Sequence, residues 1–311
     1  MRSTLRYRIL LVWLAILPLS GCLFRSRKIE QPFNYAQLQT ATQKELVDYI
    51  NTQGDAIQSL QATVDIDTTV GGVKKGLITD YQQIRGYVLA RKPAMLRMIG
   101  LMPVVRNTAF DMVSDGTEFK LWIPPKSRFL VGRNDDETHH PAQSLENLRP
   151  QSLYDALLLR PIDADKEIAV LENDTEIPAE IKKNTIVRAE YVIDVIARKG
   201  QGWRLSRKVI FNRIDLLPHR QVLYDEKGDV VTSAIYRGFK KDEHGVSYPW
   251  QIEIARPQEE YDITLSVVKL DINQPLPDEK FVLQQPPGIS VVHLDQPQAS
   301  ASQPASDGSS R

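Results

Sequence analysis

The sequence predicts a mostly β fold with some α: a strongly curved antiparallel sheet, a half-open β-barrel, with an N-terminal helix and a short helical lid. Three observations predict it. Leu60, Ala62, Val64, Ile66 and Thr68 alternate with Gln61, Thr63, Asp65 and Asp67, the pattern of a strand with one face covered and the other wet. Strand-like runs then recur in series, several joined by short glycine-containing turns. Helical periodicity occurs in only two places, one early and one mid-chain, so a sheet closing most of the way round and covered by an inserted helix accounts for the whole.

The elements follow in order. Thr42 and Glu45 have the spacing of a capping box, and Leu46, Tyr49 and Ile50 share one face of the helix that follows, expected over Thr42–Asn51. The alternating strand comes next, then a turn at Gly71-Gly72 and a second strand toward Tyr87, Leu89 and Arg91. Ala94–Ile99 and Thr108–Val113 are expected strands, and Asp115-Gly116 is a strong hairpin turn. Phe119–Ile123 is stopped by Pro124-Pro125, and Arg128–Val131 follows. Ser144 can cap one helical turn, which Pro150 breaks; Leu153, Ala156, Leu157 and Leu158 then make a short apolar helix. Strands resume at Tyr191–Ile196, Trp203–Phe211, Arg220–Tyr224, Val230–Phe239, Tyr248–Ala255 and Ile263–Leu270.

The N-terminus adds a second kind of information. Arg2, Arg6 and Arg8 precede an apolar stretch from Ile9 to Leu19, the layout of a secretory signal and shorter than the roughly 20 residues needed to span a bilayer. Cys22, the one cysteine, closes the string Leu19-Ser20-Gly21-Cys22, which resembles the lipobox of bacterial lipoproteins. That resemblance implies cleavage before Cys22, a covalent diacylglycerol on its sulfur and an acyl group on the new amino terminus. Two or more chains hold a protein stably on a membrane. Leu23, rather than Asp, follows the cysteine, which by the sorting rule of enteric bacteria favours the periplasmic face of the outer membrane over the inner membrane. Arg25, Arg27 and Lys28 make a basic tether that either lies against anionic headgroups or is a solvated linker. With one cysteine, no disulfide forms within the chain.

Lysine plus arginine and aspartate plus glutamate both number 39 in 311 residues, so nothing suggests a nucleic-acid surface, which needs clustered positive charge. The final stretch, 295–311, is Pro/Gln/Ala/Ser-rich and is expected to be disordered. The expected organisation is therefore a signal peptide (1–21), a lipidated tether (22–41), one β-rich domain (42–294) and a tail (295–311).

Four segments then resemble the LolA/LolB superfamily of lipoprotein carriers and receptors. They are the helix running into a strand over Leu46–Val64, the strand ending Arg91-Lys92-Pro93, the hairpin Val113-Ser114-Asp115-Gly116 with Leu121-Trp122 and Pro124, and Phe281 through Pro286-Pro287-Gly288 to Val291. The lipobox makes the lipidated, LolB-like member the better match, and extra sequence around Glu167–Lys183 departs from the family. The resemblance implies acylated lipoprotein or lipid cargo, a soluble LolA-type periplasmic carrier as partner, a basic lid contact at Arg91 or Lys92, and a membrane-insertion loop at Leu101 and Met102. It implies no cofactor beyond the acyl groups on Cys22 and no enzymatic activity.

Transfer of acyl chains between apolar sites needs a greasy hollow and no nucleotide, and Gly71–Gly76 lacks the Walker spacing. Leu60, Ala62, Val64, Ile66, Phe119 and Leu121 are the candidate wall, with Leu153, Leu157 and Leu158 closing it; the same residues equally suit a dry core. No Gly-x-Ser-x-Gly elbow or His-Glu-x-x-His motif occurs. Asp135, Asp136, His139 and His140 lack metal-ligand spacing and read as a solvated loop. Trp122, Trp203 and Trp250 read as core or interface aromatics. The rival function is a lipidated envelope scaffold or sensor with no transport role.

Overall fold

Thr42 caps the first helix as its spacing predicts: Glu45 donates its N–H to Thr42 Oγ1 at 3.3 Å, and Thr42 N–H returns a 2.7 Å bond to Glu45 Oε2. This helix, α1, runs Gln43–Ala56, one turn beyond the expected end. The computed structural model describes residues 38–74, 76–134, 150–176, 188–243 and 245–294. Cys22, the expected signal peptide, the expected tether up to residue 37, the Asp135–His140 loop, the Ser144 turn and the tail lie outside the described residues.

The strands follow as β1 (Ser59–Gly72), β2 (Leu77–Asp80), β3 (Ile84–Arg91), β4 (Met95–Leu101), β5 (Thr108–Ser114), β6 (Glu118–Ile123) and β7 (Arg128–Arg133). Helix α2 (Pro150–Leu157) interrupts the series, with Pro150 at its start. Then come β8 (Glu167–Glu176), β9 (Arg188–Lys199), β10 (Gly202–Asn212), β11 (Pro218–Tyr224), β12 (Val230–Arg237), β13 (Lys240–Lys241), β14 (Ser247–Tyr248), β15 (Gln251–Arg256), β16 (Tyr261–Ile272) and β17 (Val291–His293). One 15-stranded sheet runs β17-β7-β6-β5-β4-β3-β1-β16-β15-β12-β11-β10-β9-β8, with β2 beside β1; β13 and β14 pair separately. All pairs are antiparallel except β17 with β7, which is parallel. The end strands β17 and β8 do not pair, so the sheet is open rather than a closed barrel.

Its curvature follows from one helix touching distant strands. α2 packs against β4, β5 and β15, yet β3, β1 and β16 separate β4 from β15. On a flat sheet those four spacings span roughly 19 Å, about twice the width of a helix. The sheet therefore wraps round α2. Register shifts at Thr63/Val64, Gly100/Leu101, Leu205/Arg207 and Leu223/Tyr224 supply local bends of the kind bulges introduce.

The concave face is apolar where β1, β3–β6, β15 and β16 meet α2. Leu60, Ala62, Val64 and Ile66 of β1 join Val88, Met98, Met112, Phe119, Leu121, Ile252, Ile254 and Leu265 in one core with Leu153, Ala156, Leu157 and Leu158. A second core sets Leu46 and Ile50 of α1 on Tyr191, Ile193, Val195, Val209 and Phe211 of β9 and β10. A third puts the C-terminal segment, through Leu276, Phe281 and Leu283, against Leu89, Val113 and Phe129. At the C-terminal half of α1, a Cβ on Gly54 would lie 2.8 Å from Pro161 Cδ and 3.0 Å from Leu159 O, so only glycine lets the chain after α2 pass this close.

Candidate functional site

The hollow of the sheet is occupied by α2, whose sequence explains its place. Six of its eight residues are buried, among them Leu153, Tyr154, Ala156 and Leu157. A helix so apolar is stable only when covered, and three turns or fewer are marginal alone. Its last carbonyls have no partner within the helix; the sheet supplies them. Gln221 of β11 donates through Nε2 to Asp155 O at 2.9 Å, Tyr236 of β12 donates its hydroxyl to Ala156 O at 3.1 Å, and Tyr248 of β14 donates to Leu157 O at 3.1 Å. Burial pushes the Tyr236 and Tyr248 hydroxyls above the usual phenol range, so both stay donors. At the other end Arg256 of β15 donates to Ser152 Oγ and pairs with Glu259, both charges buried.

The residues expected to line a cavity sit together, but packed. Leu60, Ala62, Val64, Ile66, Phe119, Leu121, Leu153, Leu157 and Leu158 are all buried in the one core with α2. The apolar space left beside them, lined by Tyr49, Ile57, Leu157, Tyr236, Phe239 and Tyr248, is about 50 Å³, room for roughly three to five water-sized groups. With α2 seated, no long acyl chain fits there.

Arg91 and Lys92 donate away from α2. Arg91 reaches Leu276 O and Asp278 Oδ1 and lies 5.1 Å over the Phe281 ring, tying down the C-terminal segment. Lys92 donates to Gly54 O at the end of α1. Alternation along β3 sends Arg91 to the face opposite Val88 and Ala90; the polar latch on α2 is built from Gln221, Tyr236, Tyr248 and Arg256 instead.

Leu101 is the last residue of β4 and half-buried, while Met102 is exposed. The loop beyond them projects two valines, with Val104 97% exposed and at φ 65°, a left-handed conformation that costs a β-branched residue energy. The β1–β2 hairpin projects from the same end of the sheet, because Ile84 pairs with Ile66 and Arg85 with Leu101. Its Val73, Leu77 and Ile78 are exposed, and Lys74 and Arg106 flank the two apolar tips.

On the side of α2 facing β10 and β11 lies a polar cavity of about 630 Å³, bordered by Asp155, Arg204, Arg207, Gln221, Thr232 and Arg256. Asp155 keeps some accessible surface, yet the surrounding protein desolvates it enough to push its carboxyl up to about 6, against the Gln151 hydrogen bond and the nearby Arg160 and Arg207. Desolvation, aided by Arg160, pulls Arg207 down to about 10. Sequence reading missed this cavity, since no spacing links strands β10–β15 to α2.

Fold and site together define a curved open sheet whose apolar concavity is capped by a short helix held through its own carbonyls. No family model and no curated protein matches the sequence. Solved structures similar to it include a LolA superfamily protein from Nitrosomonas europaea, at 13% identity and TM-score 0.46, over 78% of this chain and 99% of that one. A DUF1329 family protein from Desulfovibrio piger aligns at 16% identity and TM-score 0.46, over 77% and 95%. A domain from Vibrio parahaemolyticus named for outer-membrane lipoprotein sorting aligns at 11% identity and TM-score 0.44, over 76% and 94%. Likeness of this depth assigns no residue a role, and the functional reading below stands on the geometry.

Proposed function

We propose that the protein is a membrane-anchored lipoprotein, acylated at Cys22, that binds acyl chains between α2 and the concave sheet. In this reading it takes part in lipoprotein or lipid transfer at the periplasmic face of the outer membrane, receiving cargo from a soluble LolA-type carrier and catalysing no reaction. The observation that carries it is α2 itself: an apolar helix, separable in sequence from the strands it covers, closing a concave face that is apolar from β6 through β1 to β15.

Magnitudes decide how such a site opens. Exposing Leu153, Tyr154, Leu157 and Leu158 to water costs roughly 6–12 kcal/mol at 1.5–3 per side chain. A 16-carbon chain arriving from water regains about 11 kcal/mol at 0.8 per methylene. Cargo arriving from a membrane or carrier regains almost nothing, because its methylenes are buried before and after. α2 therefore has to ride on the incoming chain, trading its packing on β4 and β5 for contacts with hydrocarbon, rather than swing into solvent. Hydrogen bonds from Tyr236, Tyr248 and Gln221 fit that motion, since they hold α2 to the β11–β14 wall while its packing on β4 and β5 is apolar.

Delivery then falls to the rim. Leu101 and Met102 lead into the loop whose tip is Val104 and Val105, and the neighbouring hairpin adds Val73, Leu77 and Ile78. Apolar tips with lysine and arginine beside them suit an anionic bilayer surface. The packed interior favours a second reading, a tethered scaffold or sensor whose concavity stays sealed. A diazirine-bearing fatty acid separates them. Cross-links on α2 and on β1, β6 or β16 support carriage; labelling restricted to the rim, or none, leaves the scaffold.

A further inference from the structure

The polar cavity beside α2 contains a buried cation, Arg207, that makes no ion pair at contact distance among the described residues; Glu167 and Asp155 act on it only from further off. Arg207 is 1% exposed. Its one hydrogen bond among the described residues runs from Nη2 to Pro161 O at 3.2 Å, and its Nε has no acceptor. Gln221 Oε1 and Thr232 Oγ1, on residues 2% and 1% exposed, are likewise without partners there. Three unsatisfied polar atoms at one cavity are costly, and an unpaired buried guanidinium most of all.

The carboxylates bordering the cavity are already engaged. Glu259 holds Arg256, Glu226 holds Lys199, and Asp225 accepts from the backbone N–H groups of Lys227 and Asp229 and from Gln258. Asp155 accepts from Gln151. Among the described residues Arg204 donates only to a carbonyl, Tyr224 O at 3.4 Å, as Arg207 does, with the Glu226 carboxylate acting on it through space. Two guanidinium groups are thus left facing a space of about 630 Å³ with donor capacity to spare, next to a hydroxyl that can donate and an amide oxygen that can accept.

We propose that this cavity binds an oxyanion, a phosphate group either free or carried on a lipid headgroup, held by Arg207 and Arg204 with Thr232 donating and Gln221 accepting from a hydroxyl on the ligand. Guanidinium forks match phosphate oxygens in geometry and charge. Gln221 also holds the Asp155 carbonyl of α2, so an occupied site bears directly on the helix that covers the apolar face. The free-phosphate form stands without acyl-chain binding; the lipid form rests on that reading and places the headgroup on one side of α2 and the tail on the other.

Calorimetric titration of the full-length protein in neutral detergent tests this, with inorganic phosphate, sn-glycerol 3-phosphate and phosphatidylglycerol micelles as probes and chloride at matched ionic strength as control. Binding is expected for at least one phosphate probe, weakened tenfold or more by Arg207→Met and several-fold by Thr232→Val. Met replaces a buried charge that has no contact ion pair by an apolar side chain of similar volume, so the first variant is expected to fold; the second changes one hydroxyl and reads the site independently. Binding of the soluble probes identifies a free phosphate ligand, and binding of phosphatidylglycerol alone identifies a headgroup. No binding by any probe, or binding indifferent to both substitutions, overturns the proposal. If phosphate binds while fatty-acid cross-linking fails, the oxyanion site survives and the acyl-chain reading does not.

Discussion

Tyr248 donates its hydroxyl to the carbonyl of Leu157 at 3.1 Å, closing the C-terminal end of a helix 91 residues earlier in the chain. Tyr236 does the same for Ala156, and both bonds are buried. Helix α2 is therefore capped by the strands it lies on, so its seating and its helicity are coupled.

Removing both hydroxyls in Tyr236→Phe/Tyr248→Phe leaves two buried carbonyls unsatisfied, at about 1–3 kcal/mol each. Amide hydrogen exchange in 150–158 is expected to accelerate by at least tenfold, while α1 and the β9–β10 core keep their protection. If exchange rises equally everywhere, α2 is not a separately opening unit.

Asp155 gives the same helix a pH dependence. Its carboxyl titrates near 6 when folded, against 3.8 ordinarily, because burial disfavours the charge. Between those values the folded protein holds a proton that the unfolded chain has lost. The group therefore lowers stability as pH rises from about 4 to 6, and its effect is constant above that. Asp155→Asn keeps an acceptor for Gln151 and is expected to flatten this segment of a denaturation profile and stabilise the protein at pH 7.5. An unchanged slope contradicts the assignment.

Val104 is the sharpest test of the rim. Because it is exposed and held at φ 65°, Val104→Gly is expected to raise stability by about 1 kcal/mol through relief of backbone strain. Val104→Asp leaves the core untouched and is expected to cut binding to anionic vesicles severalfold with little change in melting temperature. Leu101→Glu, at a half-buried strand position, carries a stability cost that Val104→Asp does not. Vesicle binding unaffected by Val104→Asp removes the rim from the delivery step.

Gly54→Ala checks the packing of α1 on the chain leaving α2. The added methyl would sit 2.8 Å from the Pro161 ring, so a loss of about 1–3 kcal/mol is expected where an ordinary exposed helical glycine would gain. Thermal denaturation decides the sign.

What sequence reading reached, and where it stopped, has a physical pattern. Period-two alternation placed Leu60, Ala62, Val64 and Ile66 on one covered face because β1 is wet on the other. The capping box located the start of α1 because its partners are three residues apart. Strand β8 went unread because Glu167–Glu176 is acid-rich, with an exposed outer half, and gains its order by pairing with β9. The latch was hidden for another reason: Gln221, Tyr236 and Tyr248 meet backbone carbonyls 66 to 91 residues away, and a tyrosine or glutamine in a strand shows no period that distinguishes it from ordinary core. The same distance hid Arg207, whose neighbours come from β11, β12 and the segment after α2. Nothing local in the sequence marks Val104, the most exposed residue of its loop, ahead of Met102.

Native mass spectrometry of the full-length protein, extracted in neutral detergent, bears most directly on whether greasy tails enter beneath α2. If acyl chains bind beneath α2, a second population is expected, heavier by one non-covalently held acylated molecule, lost on collisional activation and depleted when Leu153 and Leu157 are replaced by bulkier tryptophan. A single population at the mass of the covalently lipidated chain, unaltered by added fatty acid, would contradict it.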